Sequence, residues 1–501
     1  MVKYLYDKVS NRTKMKVCKA SDTTTVYLEQ TYPSYDEANR LLKTIVSPDT
    51  FDFTYWDTGP IKEIEYPNDL KEQYWLTNRN FIDSMRTYDS EGLIPTTLFK
   101  FAYRYNNLMD RSSVGLKISR PMMSPLTGEI KYAYDDLRRL TDSKSYISGI
   151  ENIAYGYDPV GNRLKKRVGG QTTKYTFDKR NNHLTYEGAD YYAYDENGNL
   201  ISITPAVEIN YRFDWDYENR LIRIRKTGSG PNDSLRFTYC GLGKRIQKIH
   251  GSSDTTRYTY DGMYAVCEFG NSESLLSTYV YANGLLLARY DSSGARYYYH
   301  HDALGSTMGL TDTNKTVVKS YLYDDFGNLW DSWGNVDNHY LYTGQEYDDE
   351  ISGAELYNLR ARYYSPGIGR FISEDPFLGA QHSCYMSRCF TSLTYLQQVR
   401  LFEPMELNVY LYCGNNPTNN RDITGLQAEW YAACISVAAC IEGECKALID
   451  TCLTEESEEE QKCREQAYDW FLDCIRYKTT PLPPIPYYIC RALADILFPY
   501  E

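Results

Sequence analysis

No apolar run in this sequence is long enough to cross a bilayer: the longest, Tyr431 to Ile441, falls well short of the ~20 residues a membrane helix needs. Mean hydropathy is −0.57, and no transmembrane segment is expected. Positive charge is in deficit, with 54 Lys and Arg against 67 Asp and Glu and a net charge of −13. That balance argues against a sequence-independent grip on phosphates by the chain as a whole, so no nucleic-acid partner is expected. Histidine is scarce, at 6 residues, and absent after Leu426. Cysteine is scarce over most of the length, since only Cys18, Cys240 and Cys267 precede Cys384. The N-terminus, Met1 to Asp7, lacks the basic-then-apolar pattern of a secretion signal. The chain begins inside a repeat and reads as an N-terminally truncated fragment.

What is abundant is tyrosine, 51 residues against 16 Phe. A ring with a polar tip suits strands that have one buried and one wet face. The 501 residues are 42% hydrophobic and 24% charged, a globular composition with room for two to four domains.

The tyrosines fall into a repeat. Its unit is Tyr-x-Tyr-Asp followed three residues later by Gly or a substitute, as in Tyr155-Gly-Tyr157-Asp158 with Gly161, and Tyr192-Ala-Tyr194-Asp195 with Gly198. Anchored on the Asp, it recurs from Asp135 to Asp324 at intervals of 17 to 24 residues, with Cys240 and Ala282 as degenerate copies. Asp7 extends it to the N-terminus, while residues 20–100 match weakly. Two tyrosines at i and i+2 share one face of a strand. Asp opens a turn by accepting the amide two residues on. Gly161, Gly198, Gly305 and Gly327 fit a positive φ, and Asn181 and Asn219 hold the same offset. Arg138 breaks the pattern and predicts a different turn there. The returning strand alternates, as in Leu221 to Arg225, and such two-strand units must coil into a continuous sheet.

These units resemble the YD repeats of Rhs-type polymorphic-toxin carriers, related to toxin-complex C components and teneurins. The resemblance covers roughly residues 100 to 426. It implies a mainly β fold, a hairpin strip spiralling into a partial shell that encloses the C-terminal part of the chain. The most specific segment is Tyr340-Leu-Tyr-Thr-Gly-Gln345, then Glu355 to Pro366, Gly369-Arg-Phe-Ile-Ser-Glu-Asp375-Pro376, Asn408 to Pro417, and Asp422-Ile423-Thr-Gly-Leu426. It resembles the Rhs repeat-associated core. In relatives that cleave themselves, two Asp of this segment act as an aspartyl-protease-like pair and cut after its final Leu. By position the pair is Asp375 and Asp422, and the bond is Leu426–Gln427. Two close carboxylates cannot both ionise easily, so one serves as acid while the other activates water. Ile423 stands where the family has proline, and residues 381–406 form an atypical stretch between the acids. The alternative is that both Asp residues only form turns. Arg370 either tunes the pair or makes a structural salt bridge.

Composition changes at Gln427. Seven cysteines crowd the tail: Cys434, Cys440, Cys445, Cys452, Cys463, Cys474 and Cys490. Cys434, Cys445 and Cys452 fall within ~20° of one helical face. The acidic run at Glu455 to Glu460 suits the start of a second helix. A small α-helical hairpin is expected, with Cys452 opposite Cys463. Cys440 and Cys445 compete for Cys474, Cys434 and Cys490 remain as one way to tie the first helix to the Pro-rich end, and seven cysteines leave one unpaired within the tail. Without Cys-x-x-Cys or histidine the tail is no zinc site. The Asp195-x-Asn-x-Asn199 and Gly241-Leu-Gly243-Lys motifs lack the remaining residues of a calcium or phosphate loop. No cofactor or metal is expected, and no catalytic motif beyond the acid pair.

The expected domains are YD hairpins over 1–345, the repeat-associated core over 346–426, the Cys-rich helical hairpin over 427–478 and a Pro-rich end over 479–501. The expected function is a shell carrying its own C-terminal effector in bacterial competition. An immunity protein and a delivery apparatus are the implied partners. The alternative is a surface adhesion or carbohydrate-binding scaffold with a cell-surface glycan as partner and the tail as a cap. The cysteine usage and the family both imply a secreted or cell-surface location.

Overall fold

Paired tyrosines with an Asp-led turn between them make hairpins, and the hairpins make almost everything else. A computed structural model of the chain describes residues 1–91, 94–205, 210–227, 233–376 and 408–426. The tail cysteines, Gln427 and residues 377–407 lie outside the described residues. One antiparallel sheet of 30 strands runs from Val2–Tyr6 to Leu329–Trp333. Each strand in it pairs with its neighbours in sequence, as Ile153–Tyr157 does with Arg163–Val168. The complete helical elements among the described residues are three-residue 3-10 turns such as Tyr342–Gly344. A second sheet of 4 strands holds Glu346–Asp348, Leu356–Leu359, Arg362–Ser365 and Arg370–Phe371.

The turn chemistry is uniform. Asp158 Oδ1 accepts the N–H of Val160 at 3.0 Å and of Asn162 at 2.8 Å, while Gly161 takes a φ of 87°. Asp135, Asp195, Asp216, Asp302 and Asp324 repeat this pair of bonds. Two expectations are corrected. The turn at Arg138 is the same turn: Arg138 itself adopts a φ of 61°. Its guanidinium pairs at 2.7 Å with the buried Asp110, which offsets the ~1–2 kcal/mol cost of a left-handed residue bearing a Cβ. In the other, Asn182 rather than Asn181 has positive φ, because the turn from Asp178 closes on His183, one residue later than usual. Hairpins also continue through residues 20–100. There Asp36 with Asn39, Trp56 with Gly59 and Thr77 with Asn80 close turns of the same kind with other side chains.

The second tyrosine of many units explains part of the excess of Tyr over Phe. Tyr157 donates its hydroxyl to the Leu140 carbonyl at 2.8 Å, and Leu140 is the first residue of the strand Leu140–Ser145 in the preceding hairpin. The same reach joins Tyr134 to Arg111, Tyr239 to Leu221, Tyr260 to Arg245 and Tyr323 to Thr307. At Trp215 the indole N–H does it, to Leu200 at 2.8 Å. Phenylalanine has no donor to make this bond.

The strip also winds back on itself. Tyr4 meets Asp261, Asp49 meets Tyr298, Tyr66 meets Tyr299, Asp89 meets Lys315 and Arg120 meets Asp331. The separations along the chain in these contacts run from 211 residues at Arg120 to 257 at Tyr4. An extended core runs between these windings, from Met15 and Phe51 through Phe99 to Tyr298, Tyr357 and Tyr412. Residues 340–376 and 408–426 seat on the Asp-led turns. Tyr357 donates to Gly327 O, Tyr364 to Phe326 O, Tyr410 to Gly198 O and Asn415 to Gly161 O.

Candidate functional site

The strands Leu356–Leu359 and Arg362–Ser365 form a tight hairpin in which Leu359 opposes Arg362. Arg362 points into the interior and has no exposed side-chain surface. A guanidinium there must be paired, because an isolated charge in so dry a place is too costly. Its Nη2 lies 3.0 Å from Asp375 Oδ2 and 3.8 Å from Asp422 Oδ2. Nη1 donates to Val409 O at 2.9 Å, Nε donates to Gly425 O, and the guanidinium sits 3.6 Å over the Phe371 ring. One side chain therefore holds two acids and two separate stretches of backbone. Asp375 is further fixed by its own N–H, which donates to Val409 O at 3.2 Å.

The two carboxylates approach through that nitrogen. Their Oδ2 atoms are separated by at most the sum of the two distances, 6.8 Å. One water hydrogen-bonded to both acids spans up to about 6 Å, so the pair lies at or near the range of a single bridging water. Asp422 Oδ1 accepts the N–H of Thr424 at 3.0 Å and of Gly425 at 2.8 Å. Burial pushes the Asp422 carboxyl up to about 6, against the pull of Arg362 and of those two amides, and the Asp375 charge adds to the rise. Asp375 is the nearer partner of Arg362, and Asp422 holds its proton up to about pH 6. An acid and a base in one dry site is the arrangement that general acid–base hydrolysis needs.

The chain on the C-terminal side folds directly onto the pair. Gly425 has a φ of 73°, and a Cβ there would stand 2.2 Å from Leu359 O and 2.8 Å from Arg362 N. Only glycine fits that approach. Ala361 N–H donates to Thr424 O at 3.1 Å, and Leu426 N–H to Thr424 Oγ1 at 3.4 Å. The turn at Asp422 forms with Ile423 in place, its carbonyl accepting from Arg360 Nη1. Gly425 thus lies against Asp422 and Arg362, and Leu426 follows it on the Thr424 hydroxyl, while Gln427 is outside the described residues.

Arg370 is elsewhere. It donates to Asn182 O at 2.8 Å and stacks 4.6 Å from the Tyr410 ring, and burial lowers its pKa. No ion pair joins it to Asp375 or Asp422 among the described residues. Arg362 lies within the motif from Glu355 to Pro366, where neither residue type nor spacing marks it off from its neighbours. Its signal is an arginine facing inward from a short run, Leu359-Arg-Ala-Arg-Tyr-Tyr364, that is otherwise aromatic and apolar on that side. A second buried cluster fastens this segment to the strip, where Lys248 lies 3.0 Å from Asp348 and Arg245 meets both Glu346 and Asp348.

The family model described as Teneurin YD-shell matches residues 122–418. The tRNA3(Ser)-specific nuclease WapA of Bacillus spizizenii is 30% identical over 283 residues, which are 54% of this chain and 11% of that protein. Teneurin-4 of Homo sapiens is 23% identical over 485 residues, covering 78% of this chain and 16% of its own. Among solved structures, the Tc holotoxin pore of Photorhabdus luminescens gives a TM-score of 0.66 at 18% identity. That match covers 85% of this chain and 21% of the other. The chain therefore spans a small part of the relatives it matches.

Proposed function

Because this chain belongs to the Teneurin YD-shell family, the Rhs and YD-repeat proteins, we propose that its strip is part of a shell that encloses residues 427–501 and presents them as an effector in bacterial competition. The tail is freed by self-cleavage at Leu426–Gln427. The observation that supports this reading is the acid pair bridged by Arg362, with Gly425, one residue before Leu426, folded against it. Asp375 takes a proton from water as the water oxygen attacks the Leu426 carbonyl carbon. Asp422 gives its proton to the departing nitrogen of Gln427. The products are a carboxylate at Leu426 and a free amine at Gln427, with Arg362 positioning both acids. An immunity protein against the tail and a delivery apparatus outside the shell are the partners this reading calls for, with a secreted or surface location.

Mass spectrometry of the purified chain is the test. A fragment beginning at Gln427 is expected, and it should be lost in Asp375→Asn and in Asp422→Asn. An intact wild-type chain, or cleavage that survives either substitution, would leave the acids as structural turn and ion-pair residues. Expression of the full chain and of a chain ending at Leu426 in bacterial cytoplasm separates the two broader readings. Growth inhibition only with the tail supports an effector. The second reading, an adhesion scaffold with a structural cap, is favoured by the breadth of the teneurin-4 match, 78% of the chain. It expects no inhibition from either form.

A further inference from the structure

The two-residue loop between Leu356–Leu359 and Arg362–Ser365 begins with Arg360, which takes a φ of 64°. A positive φ at the first position of so short a hairpin loop is the usual place for glycine. Arginine there carries backbone strain, and such strain persists only where the surroundings fix it. Asn358 does so on one side, its Oδ1 accepting the Arg360 N–H at 3.0 Å. On the other side the guanidinium bonds groups outside the hairpin. Nη1 donates to the Gln345 side chain at 3.0 Å and to the Ile423 carbonyl, and Nε donates to the Met263 carbonyl at 3.3 Å.

These contacts fall into register. Three consecutive carbonyls after Asp422 accept from three consecutive residues at the hairpin tip: Ile423 O from Arg360 Nη1, Thr424 O from the Ala361 N–H, and Gly425 O from Arg362 Nε. The next carbonyl along the chain is that of Leu426, at the bond where cleavage is proposed. The tip thus grips every peptide that leads from Asp422 towards that bond. Its two side-chain grips differ in what else they hold. Arg362 reaches Asp375, Asp422 and Val409, all within the closing segment. Arg360 reaches the strip, because Met263 lies in the turn between Asp254–Asp261 and Tyr264–Phe269.

We propose that Arg360 is a positioning residue for self-cleavage, which holds the Ile423 carbonyl in place once the Gly262–Met263 turn of the strip has docked, so that the Leu426–Gln427 bond is cut only after the shell closes. The proposal rests on the self-cleavage reading and adds its regulation. The acceptors of Arg360 are two carbonyls and a side-chain amide, so it acts through the turn at Asp422 rather than on the acids. Its planar fork is suited to joining three groups fixed at different angles. The contacts of Arg362 can form as soon as the closing segment folds. Those of Arg360 need the strip, the hairpin tip and the cleavage turn at once.

The experiment follows release of the fragment beginning at Gln427 from the full chain by mass spectrometry, beside urea titrations of the same samples. Arg360→Gly should slow release ~10-fold or more. Its urea midpoint should move little, because the strain leaves with the clamp. Arg360→Lys, which keeps the charge without the fork, should release at a rate between the two, and it decides the question should the first variant fail to fold. Arg138→Gly is the same change at another left-handed arginine, one that faces the buried Asp110. It should lower the urea midpoint and leave the rate within ~2-fold. During refolding from urea, wild-type release should begin only after the amides of Tyr264–Phe269 are protected from hydrogen exchange. A wild-type chain that stays intact removes the self-cleavage reading and this proposal with it. Where the wild type cleaves, three results would each overturn this proposal alone: an unchanged rate in both Arg360 variants, an equal loss of rate in Arg138→Gly, or release ahead of protection in the strip.

Discussion

Arg362 and Asp375 meet at 3.0 Å, and neither side chain has any exposed surface. Removing one partner of a buried pair leaves the other charge stranded, at a cost of ~3–5 kcal/mol. Arg362→Met should therefore lower unfolding stability by about that amount in urea titrations and abolish processing. Arg362→Lys keeps the charge but not the fork that also reaches Val409 and Gly425, so it should recover only part of either. A loss in Arg362→Met no larger than that of a surface substitution would refute the assignment.

Asp422 sets a pH dependence of stability. Its carboxyl is raised by burial to about 6, above the ~3.9 of an unfolded chain. The folded state thus binds more protons between those values, and its stability falls as pH rises from about 4 to about 6, then stays level. At ~1.4 kcal/mol per pH unit the fall is roughly 3 kcal/mol. Subtracting the curve of Asp422→Asn from that of the wild type isolates it. A difference that does not change with pH would mean that Asp422 does not titrate in this range.

The same proton governs rate. If Asp422 is the acid, processing should be fastest below about pH 6 and slow towards tenfold per unit above it. Time courses of fragment release at several pH values give the profile. A rate that rises through pH 7 would reverse the roles of the two acids.

The tyrosine stitches can be tested one at a time. Tyr157→Phe removes a 2.8 Å bond to Leu140 O and nothing else of the ring. The expected loss is about 1 kcal/mol, read from the denaturation midpoint. Tyr186→Phe, on the open face, should cost less than half of that.

The repeat could be read from residues alone, because Tyr-x-Tyr, Asp and Gly each answer a local demand that repeats unchanged. Residues 20–100 were harder. There the four-residue turn survives with Trp56, Thr77 and Asn80 in place of the consensus, since the turn needs a backbone shape more than a given side chain. Arg138 misled for a related reason: its left-handed conformation depends on Asp110, 28 residues away. Asp375 and Asp422 were found through the motif that carries them. The nitrogen that joins them was not, because Arg362 is defined by burial, which neither spacing nor residue type expresses.

The offset between windings is 257 residues at Tyr4, 228 at Tyr55, 244 at Asn68 and 211 at Arg120. Each of these contacts joins one particular position to another, so partners across the windings are assigned by absolute position. Deleting one hairpin would carry Asp49 past Tyr298 and Asp89 past Lys315 together, although every local turn and stitch stayed intact. A repeat array of this kind is not free to gain or lose members. It keeps count of them.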